Sequence, residues 1–114
     1  MIRIYDDKRI TMSRGDTPVI PCRFQNLRLA PEDGTVAVLT LKRDYNDKSK
    51  IWEKQYYIRE GRFYIQLDHT DTNFLKNDVS YFYDIQLRYA DGQIYTLIPP
   101  TEFKILGVVS DADT

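Results

Sequence analysis

Residues 79–98 read VSYFYDIQLRYADGQIYTLI, and this stretch contains two runs of the kind that form paired strands. In the first run every odd-numbered position is apolar or aromatic, whereas the even-numbered positions are polar except for Phe82. A period of two is typical of a strand with one buried face. Asp91-Gly92 favours a type I′ turn, so the sequence predicts a hairpin of Tyr81–Ala90 with Gln93–Ile98.

Further short strands are predicted on both sides of this hairpin. Thr35–Lys42 is apolar on both faces, which is typical of a central strand, whereas Pro21 places its own strand at an edge or a bulge. Pro99-Pro100 is expected to end the hairpin, because proline cannot donate to a ladder. The other predicted strands are Ile2–Tyr5, Arg9–Met12, Val19–Phe24, Ile51–Ile58, Phe63–Leu67 and a last one containing Phe103 and Ile105.

Two local features complete the predicted secondary structure. Ile51–Ile58 and Phe63–Leu67 flank Glu60-Gly61-Arg62, and we expect them to form a second hairpin. A single helical turn is predicted near residues 70–76, with Thr70 or Asp71 as its N-cap.

Short strands at regular spacing with no long helix between them predict an all-β class. The expected architecture is an immunoglobulin-like antiparallel β-sandwich of about seven to eight strands. Residues 1–106 are predicted to form one domain. Residues 107–114, which are polar and acidic after Val109, are predicted to form a flexible tail.

Composition excludes several classes of function. The chain has 114 residues, a net charge of −1 and 13% aromatic residues. Without a basic excess, sequence-independent binding of nucleic acid is disfavoured. One cysteine and one histidine fall short of a structural zinc set, and no cofactor is expected. No apolar run approaches the ~20 residues that span a bilayer, so no membrane contact is expected.

Four short motifs have plain structural interpretations. Arg14-Gly15-Asp16 could be an integrin ligand, but a tight turn explains it better. A group of acidic and amide residues between positions 68 and 78 could bind Ca²⁺, but the segment lacks the glycine and the distal glutamate of an EF-hand loop. Cys22 is interpreted as a small buried apolar residue and His69 as a loop residue. The acidic group comprises Asp68, Asp71 and Asp78, with Asn73 and Asn77 beside them.

The aromatic residues are the candidate partner-binding residues. Trp52 and Tyr56 lie on one face of their predicted strand and Tyr57 on the other, while Phe82 interrupts an otherwise polar face. A sandwich needs only one inner face per sheet. The surplus aromatic residues therefore belong either to a second core layer or to an exposed patch that binds a partner.

The segment from Asp71 to Leu87 resembles the helical turn and strand F of immunoglobulin-like sandwiches. In that family a tyrosine near the start of the strand bonds back to the preceding turn, the tyrosine corner. The resemblance gives this structural role to Tyr81, and it places Tyr83 where antibody domains have a cysteine. No second cysteine is present to form the antibody disulfide.

A longer pattern resembles small immunoglobulin-like proteins and N-terminal domains of tailed bacteriophages, including baseplate upper proteins and head or tail accessory proteins. It covers about residues 9–106. The resemblance implies a non-enzymatic virion component and carries no catalytic, cofactor-binding or metal-binding residues. Its elements are Arg14-Gly15-Asp16-Thr17, Leu39-Thr40-Leu41-Lys42, Asp71-Thr72 with Leu75, Tyr81 with Tyr83–Leu87, Asp91-Gly92, Ile94–Pro99, and Phe103 with Ile105.

The expected function is therefore that of a phage or prophage virion structural protein, either an accessory protein or an attachment domain. Its expected partners are other virion structural proteins in a homo- or hetero-oligomer. Assembly is expected in the bacterial cytoplasm, followed by release in the virion. The alternatives are a carbohydrate-binding module with Trp52, Tyr56 and Tyr57 as its platform, and an enzyme with a pair of acids in a concave pocket.

Overall fold

The computed structural model describes residues 1–25 and 30–107, which contain eight strands and one short helix. The predicted all-β class is confirmed. Apart from Gly107, the predicted tail lies outside the described residues. In chain order the elements are β1 (Ile2–Ile4), β2 (Ile10–Ser13), β3 (Val19–Arg23), β4 (Val36–Lys42), β5 (Trp52–Tyr57), β6 (Arg62–Gln66), α1 (His69–Thr72), β7 (Ser80–Arg88) and β8 (Ile94–Leu106).

Two sheets pack against each other. The large sheet has six strands in the order β1-β2-β8-β7-β4-β5, and the small sheet contains β3 and β6. The order β4-β7-β8 and the pair β3-β6 are the neighbours expected for strands C-F-G and B-E of an immunoglobulin-like sandwich. Strand β2 runs parallel to β8, with Ile10 opposite Phe103. The sandwich is therefore antiparallel except at this one ladder.

The core lies between the two sheets. Along β7 the residues alternate between buried and partly exposed, and Tyr81, Tyr83, Ile85 and Leu87 are the buried ones. Strand β6 supplies Phe63 and Ile65 from the opposite sheet, while β4 contributes Ala37, Leu39 and Leu41. The periodicity seen in the sequence thus matches the inner face of the large sheet.

The predicted hairpin of β7 and β8 is confirmed, but the prolines do not end its second strand. Strand β8 continues through Pro99-Pro100 to Leu106. Tyr83 pairs with Thr101 and Ile85 with Ile98, so that Asp84 stands opposite both prolines in a β-bulge. A bulge leaves a residue unpaired, and β2 reaches only the last part of β8. Both features allow the strand to accept residues that lack an N–H group.

The second predicted hairpin is wrong, because its two strands belong to different sheets. Glu60-Gly61 does form a tight turn, with Arg59 and Arg62 joined by backbone hydrogen bonds of 2.9 and 3.1 Å. However, β5 pairs with β4 in the large sheet and β6 pairs with β3 in the small one. The two strands separate because Phe63 and its neighbours on β6 must face the large sheet to cover the core.

The helical turn begins earlier than predicted. Its N-cap is Asp68, whose backbone N–H donates to the Asp71 carboxylate at 2.7 Å. Neither Thr70 nor Asp71 is the cap, because the chain already leaves β6 at Gln66 and turns at once. No helix among the described residues has the length and apolar character needed to cross a bilayer.

Candidate interaction surface

Trp52 and Tyr56 point inward and join the edge of the large sheet to the elements that cover it. Both pack against the core as partly buried residues. The Trp52 indole N–H donates to the Asp71 carbonyl at 2.9 Å, and the Tyr56 hydroxyl donates to the Gln66 carbonyl at 2.8 Å. Between them Lys54 forms a salt bridge of 2.8 Å with Asp71. These predicted binding residues thus close one side of the sandwich.

Burial is the main cause that raises the pKa of Tyr56 to about 12, and Asp71 and Asp68 raise it further. Burial is also the main cause that raises the pKa of Tyr83 to about 12. Tyr83 donates its hydroxyl to the Lys8 carbonyl and so holds the turn before β2. Both hydroxyls therefore stay protonated across the physiological range and act as hydrogen-bond donors rather than acids.

Phe82 is covered on the outer face of the large sheet. Its ring meets that of Tyr45 edge to face, with centroids 5.7 Å apart and an interplanar angle of 76°. Tyr45 belongs to the loop between β4 and β5 and is itself exposed. The residue that interrupts the polar face of β7 is therefore half of an aromatic pair and does not form an open patch.

The Tyr81 side chain is buried at the start of β7 and bonds back toward α1. Its hydroxyl accepts a hydrogen bond from the Lys76 backbone N–H at 2.9 Å. The Arg43 guanidinium lies over the Tyr81 ring, 5.7 Å from its centroid. This residue therefore fixes the segment between α1 and β7 to the core.

Tyr57 is the one residue of the predicted binding set with a strongly exposed side chain, at 65%. It lies at the end of β5 beside a cleft of ≈ 380 Å³. Phe63, only 3% exposed, forms the floor, and Tyr64 at 46% exposure forms a second wall. We call this site the crossover cleft; it is lined by Asp33, Tyr57, Arg59, Glu60, Arg62, Phe63 and Tyr64.

The crossover cleft exists because the chain changes sheets at this point. Glu60 and Gly61 both have positive φ, at 52° and 71°, which allows the tight turn. The Asp33 carboxylate accepts a hydrogen bond from the Glu60 N–H at 2.8 Å and holds the turn in place. Because β5 and β6 then diverge into separate sheets, their outward-facing tyrosines stand on either side of the turn.

The rim of the crossover cleft is charged but balanced. Arg59 and Arg62 face Glu60 and Asp33, and Arg62 lies 3.3 Å from the Glu60 carboxylate. Hydrogen bonding to Glu60 and the neighbouring Tyr64 raise the pKa of Arg62, which stays positive at any physiological pH. The cleft therefore offers two aromatic rings and two guanidinium groups to a ligand.

Tyr64 is not among the candidate partner-binding residues that the sequence predicts, although it lines the crossover cleft. The alternation in β6 could have identified it, because a strand that buries Phe63 and Ile65 must turn Tyr64 outward. Arg59 and Arg62 flank the Glu60-Gly61 turn. Their approach to Tyr57 depends on the change of sheets, which no local pattern encodes.

A second cleft, of ≈ 290 Å³, lies on the outer face of the large sheet and is polar throughout. The Glu53 carboxylate accepts a hydrogen bond from Lys50 and lies 3.6 Å from Arg88, and the Lys50 bond is the main cause that lowers the pKa of Glu53. Burial raises the pKa of Asp84, against the opposing effects of Lys42 and Arg88. This cleft is therefore a network of surface charges with a positive excess, in which Lys42, Lys48, Lys50 and Arg88 surround the carboxylates of Glu53 and Asp84.

The remaining motifs have structural roles. Gly15 has a φ of 81° and its N–H donates to the Thr72 hydroxyl at 2.8 Å, so the Arg14-Gly15-Asp16 motif forms a turn. Burial raises the pKa of the Cys22 thiol. Within residues 1–25 and 30–107 no group of three or more His, Cys, Asp or Glu side chains is placed to hold a metal ion.

No family model and no curated protein matches the chain.

Proposed function

We propose that this chain is a non-enzymatic structural protein of a phage or prophage virion, and that it docks on another virion structural protein through the crossover cleft. The observation that carries the proposal is the pair of exposed rings, Tyr57 and Tyr64, above the buried floor of Phe63. Within the virion it serves as an accessory protein or as the attachment domain of a longer protein. It is assembled in the bacterial cytoplasm and needs neither nucleic acid nor membrane for binding.

The residue types in the crossover cleft favour binding to a protein. Tyrosine and arginine dominate the residues whose truncation weakens protein interfaces most. Tyrosine offers a large contact area with few rotatable bonds, so little conformational entropy is lost on binding. Arg59 and Arg62 can pair with carboxylates of a partner without displacing the rings.

The order and spacing of the motifs across residues 9–106 support the virion class. The pairs β3-β6 and β4-β7-β8 agree with the immunoglobulin-like sandwich that the resemblance implies. A docking domain of this kind needs a rigid scaffold and an exposed binding surface, and the cleft lies on two strands and one tight turn. The architecture of the chain therefore supports the proposal, and a binding experiment identifies the partner.

The arrangement of aromatic residues disfavours the carbohydrate platform. A platform for sugar rings needs several aromatic faces exposed side by side. Trp52 and Tyr56 use their polar atoms within the sandwich, and Tyr57 lies on the opposite face of β5.

The test is a double variant, Tyr57→Ala with Tyr64→Ala, measured by biolayer interferometry against virion proteins encoded beside this gene. Loss of two interface tyrosines is expected to weaken binding by a factor of about 30 or more, since even one hot-spot residue contributes about 2 kcal/mol or more. Phe74→Ala is the matched control, because this aromatic side chain is 59% exposed and lies outside the cleft.

Circular dichroism of the double variant must match that of the original protein before binding is compared. Unchanged affinity in the double variant would contradict docking through the crossover cleft. Saturable binding on a glycan array that both tyrosine substitutions abolish would replace the docking function with sugar recognition.

A further inference from the structure

The polar cleft on the outer face of the large sheet carries a positive excess, although the net charge of the chain is −1. Of the described residues that line it, four are cationic and two are carboxylates, while Asp44 and Asp47 of the neighbouring loop do not line it. The rest of the chain is therefore acidic as a whole. We call this site the cationic cleft; it is lined by Thr40, Lys42, Lys48, Lys50, Glu53, Asp84, Gln86 and Arg88.

The two carboxylates leave part of the positive charge in the cationic cleft unpaired. Glu53 already has two partners, since it accepts a hydrogen bond from Lys50 and lies 3.6 Å from Arg88. Lys42 donates its ammonium group to a backbone carbonyl of the β4–β5 loop at 2.8 Å, and that bond does not neutralise its charge. Lys48 is exposed and forms no ion pair with any described residue. An anion in the cleft therefore meets Lys48 without displacing an ion pair.

We infer that the cationic cleft binds an acidic segment of a polypeptide, whose carboxylates pair with Lys48 and the neighbouring cations. Thr40 lies opposite both Glu53 and Asp84 in the sheet, so two carboxylates flank the middle of the cleft. They repel a continuous row of phosphates, whereas the separate carboxylates of a peptide can reach the cations on either side. The Thr40 hydroxyl and the Gln86 amide can hydrogen-bond to the peptide backbone.

The position of the cationic cleft also favours a polypeptide. Val36 lies opposite Tyr57 in β5 and opposite Arg88 in β7. Side chains that are directly opposite share one face of a sheet, so Tyr57 and Arg88 stand on the same face, on strands about 10 Å apart. A protein that docks on the crossover cleft therefore reaches the cationic cleft as well. This step rests on the proposed function, and it makes the acidic segment a part of that partner.

Fluorescence anisotropy of a labelled hexaglutamate peptide, titrated with the full chain, tests the inference. Saturable binding is expected at low ionic strength, and it should weaken as salt is added, because salt screens exposed charges. Lys48→Glu is expected to weaken binding about tenfold, since the substitution removes one attraction and adds one repulsion. Lys48→Arg keeps the positive charge and should bind the peptide as the original protein does.

Lys76→Glu is the matched control. The Lys76 side chain is exposed and lies outside the cationic cleft, and its replacement changes the net charge of the chain by the same amount. This variant should keep the affinity of the original protein for hexaglutamate. Circular dichroism of every variant must match that of the original protein before affinities are compared.

Three results would overturn the inference: an original chain that does not bind hexaglutamate, a Lys48→Glu variant that binds it equally well, or an equal loss of affinity in Lys76→Glu. Tighter binding of a thymidine oligonucleotide of the same charge, abolished by Lys48→Glu, would assign the cleft to nucleic acid instead.

The variant with both Tyr57→Ala and Tyr64→Ala separates this inference from the proposed function. It is expected to keep its affinity for hexaglutamate, because neither ring lines the cationic cleft. A chain that binds hexaglutamate but docks equally well without the two tyrosines contradicts only docking through the crossover cleft. A chain that docks through the tyrosines but does not bind hexaglutamate contradicts only the inference made here.

Discussion

At the scale of single residues, the hydroxyl of Tyr56 joins the edge of the large sheet to the small one. It donates to the Gln66 carbonyl of β6 at 2.8 Å and is shielded from water, which raises its pKa to about 12 from an ordinary value of 10.0. A raised pKa in the folded state means that the folded protein holds this proton more tightly than the unfolded chain. The stabilisation is complete below pH 10 and is lost as the pH rises toward 12.

Tyr56→Phe is therefore expected to lower the free energy of unfolding by about 1 kcal/mol at neutral pH, because one hydrogen bond is lost and the Gln66 carbonyl loses its partner. Above pH 10 the difference between the variant and the original protein should shrink, since phenylalanine has no proton to lose. Urea unfolding followed by Trp52 fluorescence at pH 7 to 12 measures both effects. Tyr57→Phe, at an exposed position, is the control, and an equal loss of stability there would contradict the role of Tyr56.

At the scale of elements, the Glu60-Gly61 turn transfers the chain from one sheet to the other. Gly61 has a φ of 71°, in the left-handed region, and its carbonyl accepts a hydrogen bond from the Phe24 N–H at 2.9 Å. The turn is thus tied to the end of β3 as well as to its own strands. The orientation of β6 over the core depends on this one conformation.

Gly61→Ala is expected to destabilise the protein by about 1 kcal/mol, because a side chain disfavours the left-handed conformation. Glu60→Gly is the matched change at the neighbouring residue, whose φ of 52° is also positive, and it should not lower the stability. Thermal unfolding followed by circular dichroism gives both values. Equal loss in the two variants would show that the turn conformation is not the cause.

Local patterns predicted most of the strands, and they predicted the partner correctly for one of the two expected hairpins. The alternation around Tyr81 and Ile85 identified the inner face of β7, and Asp91-Gly92 located the hairpin turn. Glu60-Gly61 gave an equally good turn signal, yet its flanking strands belong to different sheets. Turn chemistry is local, whereas the choice of sheet depends on which packing covers the whole core.

The candidate binding residues were predicted only in part, for the same reason. Periodicity placed Tyr57 opposite to Trp52 and Tyr56, and the structure places these residues on opposite faces of β5. It could not show that Tyr45, far from Phe82 in the sequence, covers that ring. It also could not show that, among the described residues, Ile94 has a strand on one side only, since this depends on how far β2 extends along β8.

At the scale of the whole molecule, the described residues form one elongated body of 45 × 27 × 24 Å. Its core residues run from Ile10 to Ile105, so both ends of the described chain take part in the same packing. The final core residues, Phe103 and Ile105, are 3% and 0% exposed. The last part of β8 therefore supplies the final buried side chains of the described core.

Removal of residues 108–114 is expected to leave the midpoint of thermal unfolding unchanged, because the core residues of the described part of the chain end at Ile105. A chain that ends after Thr101 should fail to fold, since it lacks Phe103 and Ile105 and the partner of β2. Differential scanning calorimetry compares the two truncations. A large loss of stability on removal of residues 108–114 would show that the sandwich extends beyond Leu106.

The parallel ladder between β2 and β8 has a consequence for synthesis on the ribosome. Strand β2 leaves the exit tunnel well before its partner residues, from Phe103 to Leu106, are translated. Until then β2 can pair with β1 only, and its other edge waits without a partner. A chaperone that shields nascent chains would have this edge of β2 to protect.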